Sequence, residues 1–340
     1  MTVGATLVAS LLVTLARPAT WPLALATFLL RGGFVLVLAP IVVLPTAIEL
    51  GNLLAPLLTT LLFRGITLSV AVLQVAGGVG FLIWLLGGGL LAGAVESEVV
   101  RRVAADDEAW GAGGRPPGFV PAGHPTRRVL LVRLIAYLPL LLVALPWTFY
   151  RFVLVGYHEL TAPSDVAVPV AIRIALGAPD AVALFVATWL LGEIVGALAT
   201  RRVILAGDGV RSAVGRAIAH LARRAWRSVA LSVVPLVPFG LVLVIVGMAG
   251  SATWEALRAA LSFGGDPVIA LVLLLVLVAL FAGGLLLIGV ASAWRAAVWT
   301  VDVAGTFGAT VDDPEGQWNG VADSGRLTDL RPRGVDPDTR

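Results

Sequence analysis

Long apolar runs separated by short charged segments organise this chain. Six runs reach membrane-spanning length, at residues 22–45, 66–95, 129–150, 180–199, 228–247 and 267–293. Since an α-helix rises about 1.5 Å per residue, each run can cross a hydrocarbon core of about 30 Å, the longer runs with some tilt. The pattern predicts an all-α, polytopic membrane helical bundle of about six transmembrane helices.

The six runs fall into three pairs that resemble one another. The first members of the pairs align without gaps at 32–42, 138–148 and 237–247. The second members of two pairs share a WLLG motif, at 84–87 and 189–192. Its tryptophans, Trp84 and Trp189, each lie 12 residues before a charged residue, Glu96 and Arg201. We interpret this as three pseudo-repeated pairs of spans. Chance similarity among Leu- and Val-rich helices is the alternative.

Amphipathic stretches lie between the two spans of each pair, at 46–65, 165–179 and 251–263. The last begins with Ser and Thr and places Trp254, Leu257 and Leu261 at helical spacing. Pro and Gly interrupt the first two stretches. We predict interfacial helices or re-entrant segments, and the pattern leaves both open.

Arginine is concentrated in alternate connections. The segment 200–227 carries seven arginines and the single acid Asp208, and 96–128 carries five more, whereas the opposite connections hold few. The positive-inside rule therefore predicts that both termini are cytoplasmic in a bacterial cytoplasmic membrane.

Three domains follow from these patterns. Residues 1–20 are predicted to form an uncleaved helix at the interface or packed on the bundle, because no basic residue precedes their apolar stretch. Residues 21–301 form the six-span domain. Residues 302–340 are acidic, rich in Gly and Pro and without apolar periodicity, so we predict a flexible cytoplasmic tail.

Composition supports the membrane class and argues against most chemistry. Only 13% of the residues are charged, 59% are hydrophobic and none is cysteine, which excludes disulfides, thiolate metal sites and cysteine nucleophiles. The three histidines, His124, His158 and His220, have no metal-ligand spacing. We therefore predict a protein that is not an enzyme, with no catalytic residues, cofactor, metal or nucleic-acid partner.

Two charges lie inside apolar runs and predict an ion pair. Arg31 is nine residues beyond Pro22, and Glu193 is eight residues before Arg201, so both lie at a similar depth from the same face. An unpaired charge at the bilayer centre costs about 3 kcal/mol or more. We predict an intramembrane pair of Arg31 with Glu193, with Gln74 or Arg133 as additional partners. The alternatives are that Arg31 is an interfacial head-group anchor, or that the pair lies in a transport path.

A basic stripe precedes the fifth span. Arg216, His220, Arg223 and Arg227 recur at spacings of 4, 3 and 4 residues, along one side of a predicted helix. This pattern is typical of an interfacial helix lying on anionic lipids of the cytoplasmic leaflet. An ordinary positive-inside loop is the alternative.

The paired spans, small-residue segments such as LLLIGVASAWRAAVW (285–299) and the basic helix before the fifth span carry a resemblance. The chain resembles a broad group of uncharacterised bacterial six-span membrane proteins. These are loosely similar to the membrane domain found with some glycerophosphodiester phosphodiesterases. The resemblance covers most of residues 20–300 and implies a location and a shape. No catalytic residues carry over, because the phosphodiesterase domain has no counterpart in this sequence.

These observations favour a non-enzymatic integral membrane protein, a scaffold or accessory subunit with protein partners in a membrane assembly. The competing interpretation is a small-solute or lipid transporter, with Arg31 and Glu193 near the path and the glycines and prolines of the spans as flexible points.

Overall fold

A computed structural model describes residues 2–39, 67–107, 109–110, 114–115, 119–121, 123–162, 164, 168–262 and 266–308. This part of the chain is helical and contains no strand. Six of its helical segments are long and apolar enough to cross a membrane: Thr20–Leu38, Gln74–Ala104, Leu140–Thr161, Pro179–Ala206, Ala225–Ala260 and Pro267–Phe307. The fold is therefore an all-α polytopic bundle, as the sequence predicts.

A π-helical turn interrupts each of the first two spans and begins the third. The first span consists of α2 (Thr20–Phe28), a turn (Leu29–Gly33) and α3 (Phe34–Leu38), and the second of α4 (Leu68–Ile83), a turn (Trp84–Gly88) and α5 (Gly89–Ala104). The third consists of a turn (Leu140–Ala144) and α7 (Leu145–Thr161), and α6 (Thr126–Ala136) precedes it. The last three spans are α9 (Pro179–Ala206), α11 (Ala225–Ala260) and α12 (Pro267–Gly308). Three shorter helices complete the fold: α1 (Val3–Ala16), α8 (Val170–Gly177) and α10 (Val210–Arg223).

The third span lies further along the chain than the predicted 129–150. A separate helix, α6, comes first and ends at Tyr137, whose φ of −92° and ψ of 1° leave the helical region. Pro139 follows and has no backbone N–H to donate, so the chain bends before the membrane-spanning part begins.

The predicted amphipathic helix at 251–263 is a continuation of the fifth span. Helix α11 runs without interruption for 36 residues to Ala260, about 54 Å, because nothing between Gly247 and Ser251 breaks a helix. Its last turns therefore extend beyond a hydrocarbon core of about 30 Å.

The other two intermediate stretches have different outcomes. Residues 46–65 lie outside the described residues. Within 165–179, α8 forms a short helix that packs on α7, and Arg173 Nη1 binds Glu159 Oε2 at 2.8 Å.

The N-terminal helix α1 packs on α12 instead of lying apart from the bundle. Its buried side carries Thr6, Ser10 and Thr14. The indole of Trp294 on α12 donates to the Leu7 carbonyl at 3.3 Å and to the Ser10 hydroxyl at 3.1 Å. Small polar residues thus allow the close approach, while leucines of the opposite side are exposed.

The main apolar core lies at one end of the bundle, called here the arginine-rich end because residues 101–102, 127–128 and 201–227 cluster there. The buried residues of this core come from seven helices and include Val13, Val100, Val129, Leu198, Ala217, Leu231 and Val301. The rest of the spans expose large apolar side chains, as a surface in contact with lipid does. The core thus fixes the spans where the arginines lie.

The predicted start of the tail at residue 302 is wrong. Helix α12 continues to Gly308, and Asp302 is buried and binds Arg227 Nη2 at 2.6 Å. Residues 309–340, where the rest of the predicted tail falls, lie outside the described residues.

The layout makes a topology prediction. Three spans separate Gly114, after α5, from Ser262, after α11, so reporter enzymes fused at these two positions should report opposite compartments. Fusions that are active in the same compartment would contradict the six-span arrangement. Ser251 is an unsuitable fusion point because it lies inside α11.

Candidate functional site

A cavity of about 700 Å³ opens between the spans near the arginine-rich end. All three π-helical turns contribute to its wall, through residues such as Arg31, Trp84 and Leu140. Six charged residues line it: Arg31, Glu96, Arg133, Glu193, Arg201 and Arg295. We call it the arginine cavity. Its size is within the ~300–1,000 Å³ range of ligand pockets, and π-helical turns are frequent at functional sites.

Glu96 is the centre of the charge network. Its carboxylate is 3% exposed and accepts hydrogen bonds from three arginines. Arg133 Nη2 and Arg201 Nη1 donate to Oε1 at 2.7 Å and 2.6 Å, and Arg31 Nη2 donates to Oε2. A buried carboxylate is stable only when such partners compensate for its lost hydration. Glu96, on the second span, thereby connects the first span, the fourth span and α6, the helix that precedes the third span.

Glu193 forms a second, smaller group beside the first. The hydroxyl of Tyr137 donates to its Oε1, and Arg295 Nη2 donates to its Oε2 at 3.3 Å. The guanidinium of Arg295 also lies over the ring of Phe239, 5.2 Å from its centroid. Arg295 therefore brings the sixth span to the network through a carboxylate and an aromatic face.

The predicted direct pair of Arg31 with Glu193 is replaced by an indirect connection. Arg31 binds Glu96, which is nearer because the second span lies between the first and the fourth at this depth. Arg133 joins the two groups, since its Nη1 is 3.9 Å from Glu193 Oε1 while its Nη2 binds Glu96. Gln74 is exposed on α4 and is not in the cavity wall, whereas Arg133 is the additional partner that the sequence named.

Glycines provide the space in which these side chains lie. A Cβ atom added to Gly196 would lie 3.0 Å from Arg133 Nη1, so the absence of a side chain there lets the guanidinium reach both glutamates. Gly32 adopts a φ of +99°, which only glycine adopts without strain, and kinks the first span next to Arg31. These positions are therefore part of the site.

The arginine cavity has more positive than negative charge. Its wall contains four arginines and two glutamates, a net charge of +2. Several buried polar atoms of the wall have no hydrogen-bond partner among the described residues: Arg133 Nε and Nη1, Arg201 Nε and Ser292 Oγ. The arrangement can accept an anion. Across the described ranges, no group of three or more His, Asp or Glu residues could hold a metal ion.

Hydropathy and spacing do not identify Glu96, Arg201 and Arg295 as site residues. Each of them follows its apolar run, so its charge is interpreted as the end of a membrane span. The repeated WLLG motif is the sequence feature that could have identified two of these residues. Glu96 and Arg201 lie at equivalent distances from Trp84 and Trp189, and the two charged side chains bind each other.

The predicted basic stripe is divided by a break in the helix. Helix α10 ends at Arg223, and Arg224 with φ −135° and ψ 42° separates it from α11, where Arg227 lies. Arg216 binds Asp208 at 3.0 Å, and Arg227 binds Asp302. Arg223 is exposed, so of these residues it is the one positioned to contact a lipid head group.

His220 lies in a mostly buried cluster at the junction of α10, α11 and α12. Its Nε2 is 3.6 Å from Asp302 Oδ2, too far for a hydrogen bond, and Arg227 binds the other oxygen of that carboxylate. Burial lowers the pKa of His220, and nearby arginines add to this effect although Asp302 opposes it. The predicted stripe thus serves mainly to hold α10 and α11 to the rest of the protein.

Comparisons with protein-family models, curated proteins and solved structures found no match. The resemblance to the six-span membrane proteins therefore stays a prediction.

The charge network predicts how much stability the loss of each charged residue costs. Glu96→Leu should lower the free energy of unfolding in detergent by about 3 kcal/mol or more, because it leaves buried arginines without their acceptor. Arg31→Leu should lower the free energy of unfolding by less, since a third of the Arg31 side chain is exposed. As a control, Arg17→Leu at the exposed pair with Asp106 should cost about 1 kcal/mol or less.

Double-mutant cycles test the partners directly. Arg31 should couple to Glu96 by about 0.5–3 kcal/mol and less strongly to Glu193. A larger coupling to Glu193 would contradict the observed contacts and support the direct pair.

His220 should make stability depend on pH. Because its pKa is lowered in the folded protein, protonation favours the unfolded chain, so stability should fall as the pH drops below about 6.5. His220→Gln should reduce the dependence of the unfolding temperature on pH between pH 7.5 and pH 5. His124→Gln, at an exposed position, should leave the profile unchanged. An unaltered profile in the His220 variant would contradict this assignment.

Proposed function

We propose that this chain is a transporter or permease that binds an anionic small solute or lipid in the arginine cavity. One observation carries the proposal: a ligand-sized cavity between the spans has a net charge of +2, and its wall contains guanidinium nitrogens that make no hydrogen bond to any described residue. In a low-dielectric interior, such donors favour an anion strongly. We place the protein in a bacterial cytoplasmic membrane with both termini cytoplasmic, on the distribution of arginine.

The irregular parts of the first three spans favour movement around this cavity. Helices that are interrupted within the membrane are common where transporters bind their substrates, and here π-helical turns interrupt the first two spans and begin the third. Gly32 at the first turn and Pro139 before the third are residues at which a span can change direction.

The scaffold interpretation stays a prediction, as does the absence of enzymatic activity. A stoichiometric partner that co-purifies in mild detergent would support a scaffold. The cavity gives the transporter the more specific structural support.

Introduced cysteines test whether the cavity contains water and attracts anions. The chain has no cysteine, so each variant has a single thiol. Gly240 lines the cavity, and a Cβ added there meets no atom within 4 Å, unlike one at Gly32, which would lie 3.1 Å from Trp84. Gly283 is the matched control, a glycine of α12 with equal space but exposed on the outer surface of the bundle.

Gly240→Cys should react with a membrane-impermeant methanethiosulfonate, and the anionic sulfonate reagent should react faster than the cationic trimethylammonium reagent. Gly283→Cys should stay unreactive, because a thiol in lipid does not ionise. In membrane vesicles of both orientations, a transporter should expose Gly240→Cys from each side. No labelling from either side, or faster labelling by the cationic reagent, would contradict the proposal.

A further inference from the structure

We infer that the ligand of the arginine cavity is a lipid with a phosphomonoester head group. This inference rests on the proposed function, because it specifies the ligand of the same cavity. Three properties of the cavity restrict the chemistry of its ligand. They are the apolar wall, the net charge and the type of hydrogen-bond donor.

The wall of the cavity fits a molecule that is apolar over most of its length. Away from the charged residues the lining is mainly Leu, Val, Ala, Gly and aromatic side chains, among them Leu36, Leu141 and Leu243. Leu36 and Leu141 line the cavity and are exposed, so this part of the apolar wall is accessible to an incoming chain. A small inorganic anion would leave this apolar surface against water, whereas an acyl chain covers it.

The charge of the cavity matches a phosphomonoester. Such a group carries about −1.5 to −2 at pH 7, since its second pKa is about 6, and it offers three acceptor oxygens. The net charge of +2 in the wall is thereby neutralised. A carboxylate or a phosphodiester carries a single negative charge and would leave about one positive charge uncompensated in the membrane interior.

The donors are of the type that binds phosphate. Guanidinium groups form paired, charge-assisted hydrogen bonds with phosphate oxygens. Arg201 is 2% exposed and fixed by Glu96 and by the Ala296 carbonyl at 3.2 Å, yet its Nε has no partner among the described residues. Arg133 has two such nitrogens. We place the head group between Arg133, Arg201 and Arg295 and the acyl chains along the apolar wall.

The pH dependence of binding should follow the ligand. A guanidinium group does not change its charge between pH 5 and pH 7.5, and each glutamate of the wall accepts a hydrogen bond from an arginine. Tyr137 donates to Glu193 and is neutral. A phosphomonoester loses one of its two negative charges as the pH falls through about 6, so its affinity should fall between pH 7.5 and pH 5. A phosphodiester should show no such change.

Protection of Gly240→Cys from labelling measures binding. The purified full chain, in phosphatidylcholine nanodiscs, would be tested with phosphatidic acid, with phosphatidylglycerol of the same acyl chains, and with inorganic phosphate in solution. We expect phosphatidic acid to protect the thiol at pH 7.5 and less well at pH 5, and the other two probes to protect it weakly.

Each of the other outcomes contradicts a particular part of the proposal. Equal protection by inorganic phosphate would make this a free-phosphate site, and equal protection by phosphatidylglycerol would contradict the charge match. A thiol that is labelled but protected by none of the probes would overturn the lipid inference and leave the proposed transporter standing. A thiol that is never labelled would contradict the proposed function itself.

Two charge variants give opposite expectations, which a general loss of folding cannot produce. Arg295→Gln lowers the net charge of the wall to +1 and should weaken phosphatidic acid binding by about tenfold. Glu193→Gln raises it to +3 and should strengthen binding. Arg151→Gln is the control, because Arg151 binds Asp180 at 3.0 Å outside the cavity. Weaker binding in both cavity variants, or an equal loss in the control, would contradict the inference.

Discussion

The buried carboxylate of Glu96 is the interaction on which the arrangement of the spans depends. Apolar contacts between helices give little selectivity inside a membrane, because lipid tails are as apolar as leucine. A charge at this depth is stable only in one geometry, in which its acceptor oxygens face Arg31, Arg133 and Arg201. Since these arginines come from the first span, the fourth span and α6, the network fixes the rotation and depth of four helices together.

The position of the apolar core is consistent with this role. Close packing is concentrated at the arginine-rich end, next to the network, whereas the opposite half of the spans contacts lipid. The helices α1 and α10 and the cluster of Arg227 with Asp302 close this end. The rigid end holds the charged side chains in place, and the interrupted helices lie on the side where the cavity opens.

Hydropathy and charge spacing predict the architecture because they are local properties of the chain. They predict six spans and identify Arg31 and Glu193 as charges inside the membrane. The choice of partner depends on which spans are neighbours, and sequence spacing does not contain that information. Glu96 lies 65 residues from Arg31 and 105 from Arg201, so only the folded bundle shows that it is their common acceptor. Asp302 was likewise assigned to the tail because its partner, Arg227, is 75 residues away.

The excess of arginine over glutamate distinguishes this site from a charge network that only holds helices together. A network whose only role is to hold helices together is most stable when its charges balance, since each uncompensated charge in a low-dielectric region lacks a partner for its lost hydration. Here two positive charges remain, and Nε of Arg133 and Nε of Arg201 make no hydrogen bond to any described residue. Two further acids in the wall would have removed the excess. Apart from its charged residues the wall is mainly apolar instead, which is the arrangement expected when the balancing negative charge comes from a ligand.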